Sequence, residues 1–345
     1  MTLEGRLAVL SAGPCVTLQD RGRPGFQRYG VAEGGALDPY ALAEGAALLG
    51  NSLEAAAIEC FALGGRFQAV GQSLRFALTG AVMTAAKLTA DGHRESLQWR
   101  SSGRLLPGET LEIGAAVEGQ VGYLHIGGGI ATEPQLGSRA THLRAGIGAP
   151  RLDAGQSLPL GPDQGETVGM VLPDPGYLAR REIRLLWGPQ AEVFAQAERD
   201  RLLEASYRVS AKRDRMGARL EGPALHAEGQ LTGLSDAVSL GDVQVPGDGA
   251  PLVLLADRQP TGGYPRIATV ITADLAAFAQ LPSGAAFSFR LVAEEEALSA
   301  LKAWRAEIAG LAGRVAPLLR DPRAIPDLLS YNLVDGVVTG REESS

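Results

Sequence analysis

Residues 255–284 read LADRQPTGGYPRIATVITADLAAFAQLPSG. The apolar run 252–255 stops at Asp257, Arg258 and Gln259, then meets Pro260, Thr261 and a Gly262-Gly263 pair. Apolar runs bounded by Asp, Pro and Gly read as strands and turns, so the segment predicts a strand ending in a loop that Tyr264 and Pro265 close. Thr272 then caps a short helix over 273–280. An Asp, an Arg, a Gln, a Thr and a Tyr near one strand end bring together a base, an anion-binding fork and neutral hydrogen-bonding groups. The double glycine lets a ligand approach the backbone. A loop that only reversed the chain would need no such inventory, so the segment reads as a site.

The same grammar runs outward through the chain. Strands are predicted at 6–10, 74–79, 110–113, 121–126, 167–172, 183–186 and 287–292. Helices are fewer. Asp38 followed by Pro39 is an N-cap with proline in the first turn, and Gly50 or Asn51 closes that helix. Pro189 opens a second through Leu203, and a fourth covers about 293–310, with Glu294, Glu295 and Glu296 where the helix dipole favours acids. The fold class is mainly β with a few helices (α+β). A proline- and charge-rich stretch, 173–182, marks a boundary between an N-terminal β-rich unit (1–175) and a second unit (183–320), followed by an arm and acidic tail (321–345).

Composition bounds the function. The chain has 345 residues, 45% hydrophobic and 21% charged, with 45 glycines and 20 prolines, more punctuation than a helical bundle carries. Net charge is -7 without a basic block, which argues against nucleic acid, where phosphates need clustered Lys or Arg. No apolar run is long enough to span a membrane. The start lacks a basic region followed by a long apolar run, so no export signal is read. Cys15 and Cys60 then read as reduced thiols in a cytoplasmic protein.

Several chemistries lack their motifs. No lysine follows a glycine, which removes a Walker loop. HIGGGIAT at 125–132 lacks the third glycine of a dinucleotide loop, and Pro134 interrupts the helix that would receive the pyrophosphate. His93, His125, His142 and His226 are scattered, so no metal site is expected. Lys87 lacks the flanking methionine of a biotinylated lysine and reads as a surface residue.

Two further stretches carry an acid beside arginine. Residues 17–51, TLQDRGRPGFQRYGVAEGGALDPYALAEGAALLGN, set Asp20, Arg21 and Arg23 in a glycine-containing loop, with the Asp38-capped helix N-terminus nearby. Guanidinium forks and exposed backbone N–H groups suit a carboxylate or phosphate, but an ion pair buttressing a turn satisfies the same pattern. Residues 213–225, RDRMGARLEGPAL, repeat the pair at Asp214 and Arg215, and there the buttress reading leads.

Together QDRGRPG, GALD, LLGN, RDRMGARLEGP and ADRQPTGGYPRIATVITADLAAFAQ resemble the KipA family, also described as allophanate hydrolase subunit 2 or biotin-dependent carboxyltransferase. GSRATHLRAGIGAPRLDAGQSL at 137–158 is similar to a further family stretch. The resemblance implies cyclophilin-like β-barrel subdomains. It also implies two partners, one of KipI type (the B component) and one of LamB/YcsF type (the A component). Such assemblies act as bacterial 5-oxoprolinase, opening 5-oxoproline to glutamate with ATP used at the level of the complex. For that chemistry Asp257, Arg258 and Tyr264 are expected as catalytic residues, with Asp257 positioning or deprotonating the attacking water and Arg23 or Arg258 holding the substrate carboxylate. Asp20, Arg23, Asp38, Gln259, Thr261, Gly262, Gly263, Asp214 and Arg215 are expected to bind substrate. The chain departs from the family pattern at Pro260 for threonine, Arg266 for lysine, Leu37 for methionine and Ala140 for serine. Two other roles fit the resemblance. One is the carboxyltransferase of a biotin-dependent urea or amide carboxylase; the other is a non-catalytic partner of a KipI-type kinase inhibitor.

Overall fold

Two long strands, Leu74–Leu88 and Thr110–Ile126, pair antiparallel from Phe76↔Ile126 to Leu88↔Thr110 and form the spine of the first half of the molecule. Register shifts between Gly80 and Val82, Val82 and Met83, and Met83 and Ala85 bend the pair, because each bulge adds local twist. The computed structural model describes residues 5–228 and 235–319; the 321–345 arm lies outside them. Around the spine a nine-stranded sheet curls into a half-barrel, ordered Val16–Gln19, Ala57–Phe61, Thr110–Ile126, Gly65–Val70, Arg6–Ala12, Ser157–Pro159 along its main path. Residues 110–113 and 121–126, expected as separate strands, are one. Gly114 and Gly119 lie within it, and Gly119 has a φ of 85° beside the bulge at Val82; these glycines broke the alternating pattern without breaking the pairing.

The second half is a closed seven-stranded barrel: Glu182–Trp187, Arg266–Val270, Asp242–Gln244, Leu252–Leu254, Gly217–Glu221, Ser206–Arg213 and Ala286–Leu291. The closing pair, Glu182–Trp187 with Ala286–Leu291, is parallel and the rest are antiparallel. Closure leaves no open sheet edge. The chain is thus mainly β with four α-helices among the described residues.

Helix α1 (Pro39–Leu49) starts at Asp38, whose Oδ1 accepts from Ala41 N at 3.0 Å, and ends at the left-handed Gly50. Its apolar residues are buried on every face, as expected of a helix wedged inside a protein. One core runs from Ala41, Leu42, Val121 and Tyr123 into the barrel's Ile183, Tyr207, Val243 and Phe289.

Helix α2 spans Gln196–Glu204 rather than beginning at Pro189. Residues Ala191–Val193 form a single 3-10 turn, and Phe194 is extended, bridged to Ala227 and buried in the core. Packing of that phenylalanine overrides the helical spacing. Helix α3 (Leu275–Gln280) follows a 3-10 turn at Thr272–Asp274, without the expected Thr272 side-chain cap. Helix α4 is Glu294–Ala309. Of 167–172, only Met170–Val171 are strand, paired with Ala316–Pro317.

Gln280 on α3 joins the halves. Its Oε1 accepts from Gln120 N and Val121 N, each at 2.9 Å. Its Nε2 donates to Val121 O at 2.8 Å and Asp38 Oδ2 at 2.7 Å. No helix among the described residues is long and apolar enough to cross a membrane.

Candidate functional site

The three acid–arginine loops meet where the half-barrel touches the barrel. Asp257 N and Leu255 N donate to Arg215 O and Met216 O at 2.8 Å, and Gly34 N donates to Ala256 O at 3.2 Å. Two of the loops are shaped by their own aspartates. Asp20 Oδ1 accepts from Gly22 N at 2.8 Å and Ser138 Oγ at 2.6 Å, while Oδ2 accepts from Arg139 N at 2.6 Å. Gly22 has a φ of 80°, and a Cβ there would lie 2.5 Å from Glu33 O, so only glycine fits. Asp214 Oδ1 accepts from Met216 N at 2.7 Å and Gly217 N at 3.2 Å, an Asx turn.

Behind the loops lies a buried charge cluster. The Arg215 fork donates to Asp257 Oδ2 at 2.9 Å and Oδ1 at 3.0 Å, to Gly35 O at 2.6 Å, and to Glu59 Oε1. Glu59 Oε2 accepts from Tyr123 OH at 2.7 Å and Leu37 N at 2.9 Å. Burial opposes the Arg215 charge, but Glu59 and Asp257 outweigh it and hold its pKa above the ordinary value. Arg23 is fully buried. Its Nη2 donates to Ala140 O, whereas Nε and Nη1 meet no partner among the described residues, and burial lowers its pKa. Asp38 Oδ2 accepts from Tyr177 OH at 2.6 Å as well as from Gln280. Burial raises the Asp38 pKa despite these bonds.

In front of the cluster is a cleft of about 630 Å³ on the barrel. Arg258, Gln259, Thr261, Gly262 and Gly263 line one side, with Tyr264, 54% exposed, among the lining residues. Asp214 and Gln244 are also in the lining. The sequence-predicted residues therefore fall into two groups. Seven line the cleft, while Asp257, Arg215, Asp20, Arg23 and Asp38 are absent from its lining and belong to the packed interior around it.

The cleft is rich in cations: Lys212, Arg213, Arg219 and Arg258 against Asp214. Arg213 is turned onto α3, donating to Leu281 O and to Ala279 O at 2.9 Å, and burial brings its pKa down to about 10. Arg219 pairs with Asp248. Arg258 is buried, donates at 3.3 Å to Val238 O and to Gln27 Oε1, and leaves Nη1 unpartnered among the described residues. Such a surface suits an anionic ligand. Among the described residues no cluster of His, Cys, Asp or Glu could hold a metal.

Pro260 costs the loop no observed bond. Its carbonyl accepts from Val238 N at 3.1 Å and Gln27 Nε2 at 3.2 Å, and so anchors the turn. Gln27, Glu59, Tyr123 and Gln244 escaped the sequence reading. Two gave a signal, a lone acid inside AAAIECF and a lone amide inside DVQV, since polar residues in buried runs need partners. The glycines of HIGGGI serve packing: a Cβ at Gly128 would lie 2.4 Å from Gly161 O. Lys87 pairs across its hairpin with Glu95 at 2.8 Å.

The family model for the carboxyltransferase domain, subdomain A and B, matches residues 29–291. The C subunit of 5-oxoprolinase from Haemophilus influenzae is 36% identical over 294 residues, 84% of this chain and 92% of that protein. That of Escherichia coli is 36% identical over 300 residues, 85% and 94% of the two chains. The crystal structure of TTHA0988 matches with a TM-score of 0.74 at 33% identity over 84% of this chain, which spans 56% of that longer one. The Kluyveromyces lactis urea amidolyase structure matches with a TM-score of 0.79 at 22% identity, over 92% of this chain and 21% of that one; this is a likeness of fold.

Proposed function

This chain belongs to the family of carboxyltransferase domains with subdomains A and B, and we propose that it is the C subunit of an ATP-dependent 5-oxoprolinase that opens 5-oxoproline to L-glutamate. The observation that carries the reading is its 36% identity to two 5-oxoprolinase C subunits over nearly their whole length. The enzyme works with a KipI-type partner and a LamB/YcsF-type partner in the cytoplasm, where ATP is supplied, and this chain is inactive alone.

A lactam is a poor electrophile. Transfer of a phosphoryl group from ATP to its oxygen releases ADP and activates the carbonyl carbon; one water adds there, the ring C–N bond opens as the nitrogen takes a proton, and a second water displaces phosphate from the acyl phosphate that remains. Negative charge grows beside a substrate that already carries a carboxylate, and oriented guanidinium and N–H donors stabilise it. The cleft offers such donors at Arg258, Gln259 and Thr261, and Tyr264 is among its lining residues. Asp257 gives both oxygens to Arg215. In this state it positions the turn carrying Arg258, and it acts as the base for water only once Arg215 releases one oxygen.

The test is reconstitution with the KipI-type and LamB/YcsF-type partners and measurement of ATP-dependent glutamate formation from 5-oxoproline. Asp257→Ala and Arg258→Ala should each abolish turnover while the complex still assembles. Carboxyl transfer from carboxybiotin to urea, with no lactam opening, would instead assign the carboxyltransferase role that the family's name favours.

A further inference from the structure

Two buried donors in the cleft lining have nothing to bind. Arg258, 3% exposed, and Gln244, 5% exposed, leave Nη1 and Nε2 without a partner among the described residues. Val238 is common to both: its carbonyl accepts from Arg258 Nε, and a Cβ built on Gly262 would meet its Cγ1 and Gln244 Nε2. Gln244 sits at a bulge: Val243 pairs with Ala268 and Gln244 with Arg266, skipping Ile267. Bulges next to sites re-aim a side chain. The charges facing Arg258 are engaged or distant. Asp242 accepts from Ser239 N at 2.8 Å and Thr269 Oγ1 at 2.7 Å, and Glu33 acts on Arg258 only through space.

Buried polar groups are ordinarily paired, and two unpaired donors in the lining of one cleft point to a missing acceptor. We propose that Arg258 Nη1 and Gln244 Nε2 form a carboxylate-reading subsite that takes the substrate's carboxylate, with Gln244 as the specificity-determining residue. Arg258 Nη1 and Gln244 Nε2 together offer one charge and two donors, which match the single charge and two oxygens of a carboxylate. Gln244 Nε2 lies where a Cβ on Gly262 would point, next to the two-residue strand Thr261–Gly262 paired with Asp236–Ala237. A small shift of that ribbon uncovers the amide. Arg258 is held by two 3.3 Å bonds, weak enough to yield to a carboxylate. In naming 5-oxoproline as the ligand, the inference rests on the function proposed above.

Gln244→Leu in the reconstituted complex should raise KM for 5-oxoproline about tenfold and change kcat far less. Gln244→Glu, nearly the same shape, should be worse because its charge repels the anion, and thermal melting of both variants reports whether the fold is kept. Should Leu fail to fold, Gln244→Met replaces it. Titration of the full chain with 5-oxoproline and with 2-pyrrolidinone, the same lactam without the carboxylate, gives the second readout: binding of the first alone, lost in both variants, supports the subsite. Unchanged KM in both variants, or equal binding of the two lactams, or binding of neither, overturns it. A complex that makes no glutamate, although this chain binds 5-oxoproline through Gln244, would reject the proposed reaction and leave the subsite standing.

Discussion

Arg215 holds both carboxylate oxygens of Asp257, at 2.9 and 3.0 Å, and on its other side reaches Glu59 of the half-barrel. One side chain thus ties the strand-end loop carrying the cleft residues to the opposite sheet. Arg215→Met leaves two acids buried and unpaired, for which about 3–5 kcal/mol of lost stability is expected. Arg215→Lys keeps the charge but not the bidentate fork and should fall between Met and wild type. Urea unfolding of the three proteins checks the order; equal stability of Met and wild type would show that the pair does not hold the halves together.

His125 gives the protein an acid-side weakness. It is buried against Thr79 Oγ1 at 2.9 Å, and burial brings its pKa down from 6.5 to about 3. Unfolded chains therefore bind a proton between about pH 6.5 and pH 3 that folded ones do not. Stability attributable to His125 is fully present above about pH 6.5 and falls with decreasing pH across that window by up to about 1.4 kcal/mol per unit. His125→Asn should flatten this part of the stability–pH curve; an unchanged slope would place the proton elsewhere.

The same ring sets a glycine inside a helix. A Cβ on Gly45 of α1 would lie 2.1 Å from His125 Cδ2. Helix propensity alone favours alanine by roughly 1 kcal/mol, whereas overpacking a core costs about 1–3 kcal/mol. Gly45→Ala should therefore destabilise the protein, and Gly45→Ala combined with His125→Ala should recover much of the loss. A stabilising single substitution would mean that the ring has room to move.

Much of this was legible in the chain itself, and the failures share a cause. Asp38-Pro39 and Gly50 announced α1 because capping is local. Asp257 to Tyr264 announced a loop with unusual side chains because the strand end and the glycines lie next to them. Phe194 reads as helical because its burial against the barrel is a tertiary fact. Thr110–Ile126 reads as two strands because Gly114 and Gly119 weaken the pattern, while a long partner strand holds the ladder. Glu59 stands 156 positions from Arg215, and nothing near it in sequence says which cation it meets. Sequence spacing placed the loops; only the fold showed that Asp257 faces Arg215 while Arg258 faces the cleft.

Gly262 separates steric from conformational reasons for glycine in the best motif. No left-handed backbone is required there, yet a Cβ would lie 2.6 Å from Gln244 Nε2 and 3.2 Å from Val238 Cγ1. Alanine must therefore push the amide or lift the Thr261–Gly262 ribbon from Asp236–Ala237. That ribbon is two residues long, so the strain falls on the cleft and not on the core. Gly262→Ala should leave thermal stability within about 1 kcal/mol of wild type while weakening the use of 5-oxoproline by the assembled enzyme about tenfold or more in kcat/KM. Gln244→Ala, which clears the space, should then restore part of the loss caused by Gly262→Ala relative to the strict product of the two single effects. If the two substitutions act independently, Gly262 does not work through Gln244 and the crowding that an added Cβ would meet there has no bearing on turnover.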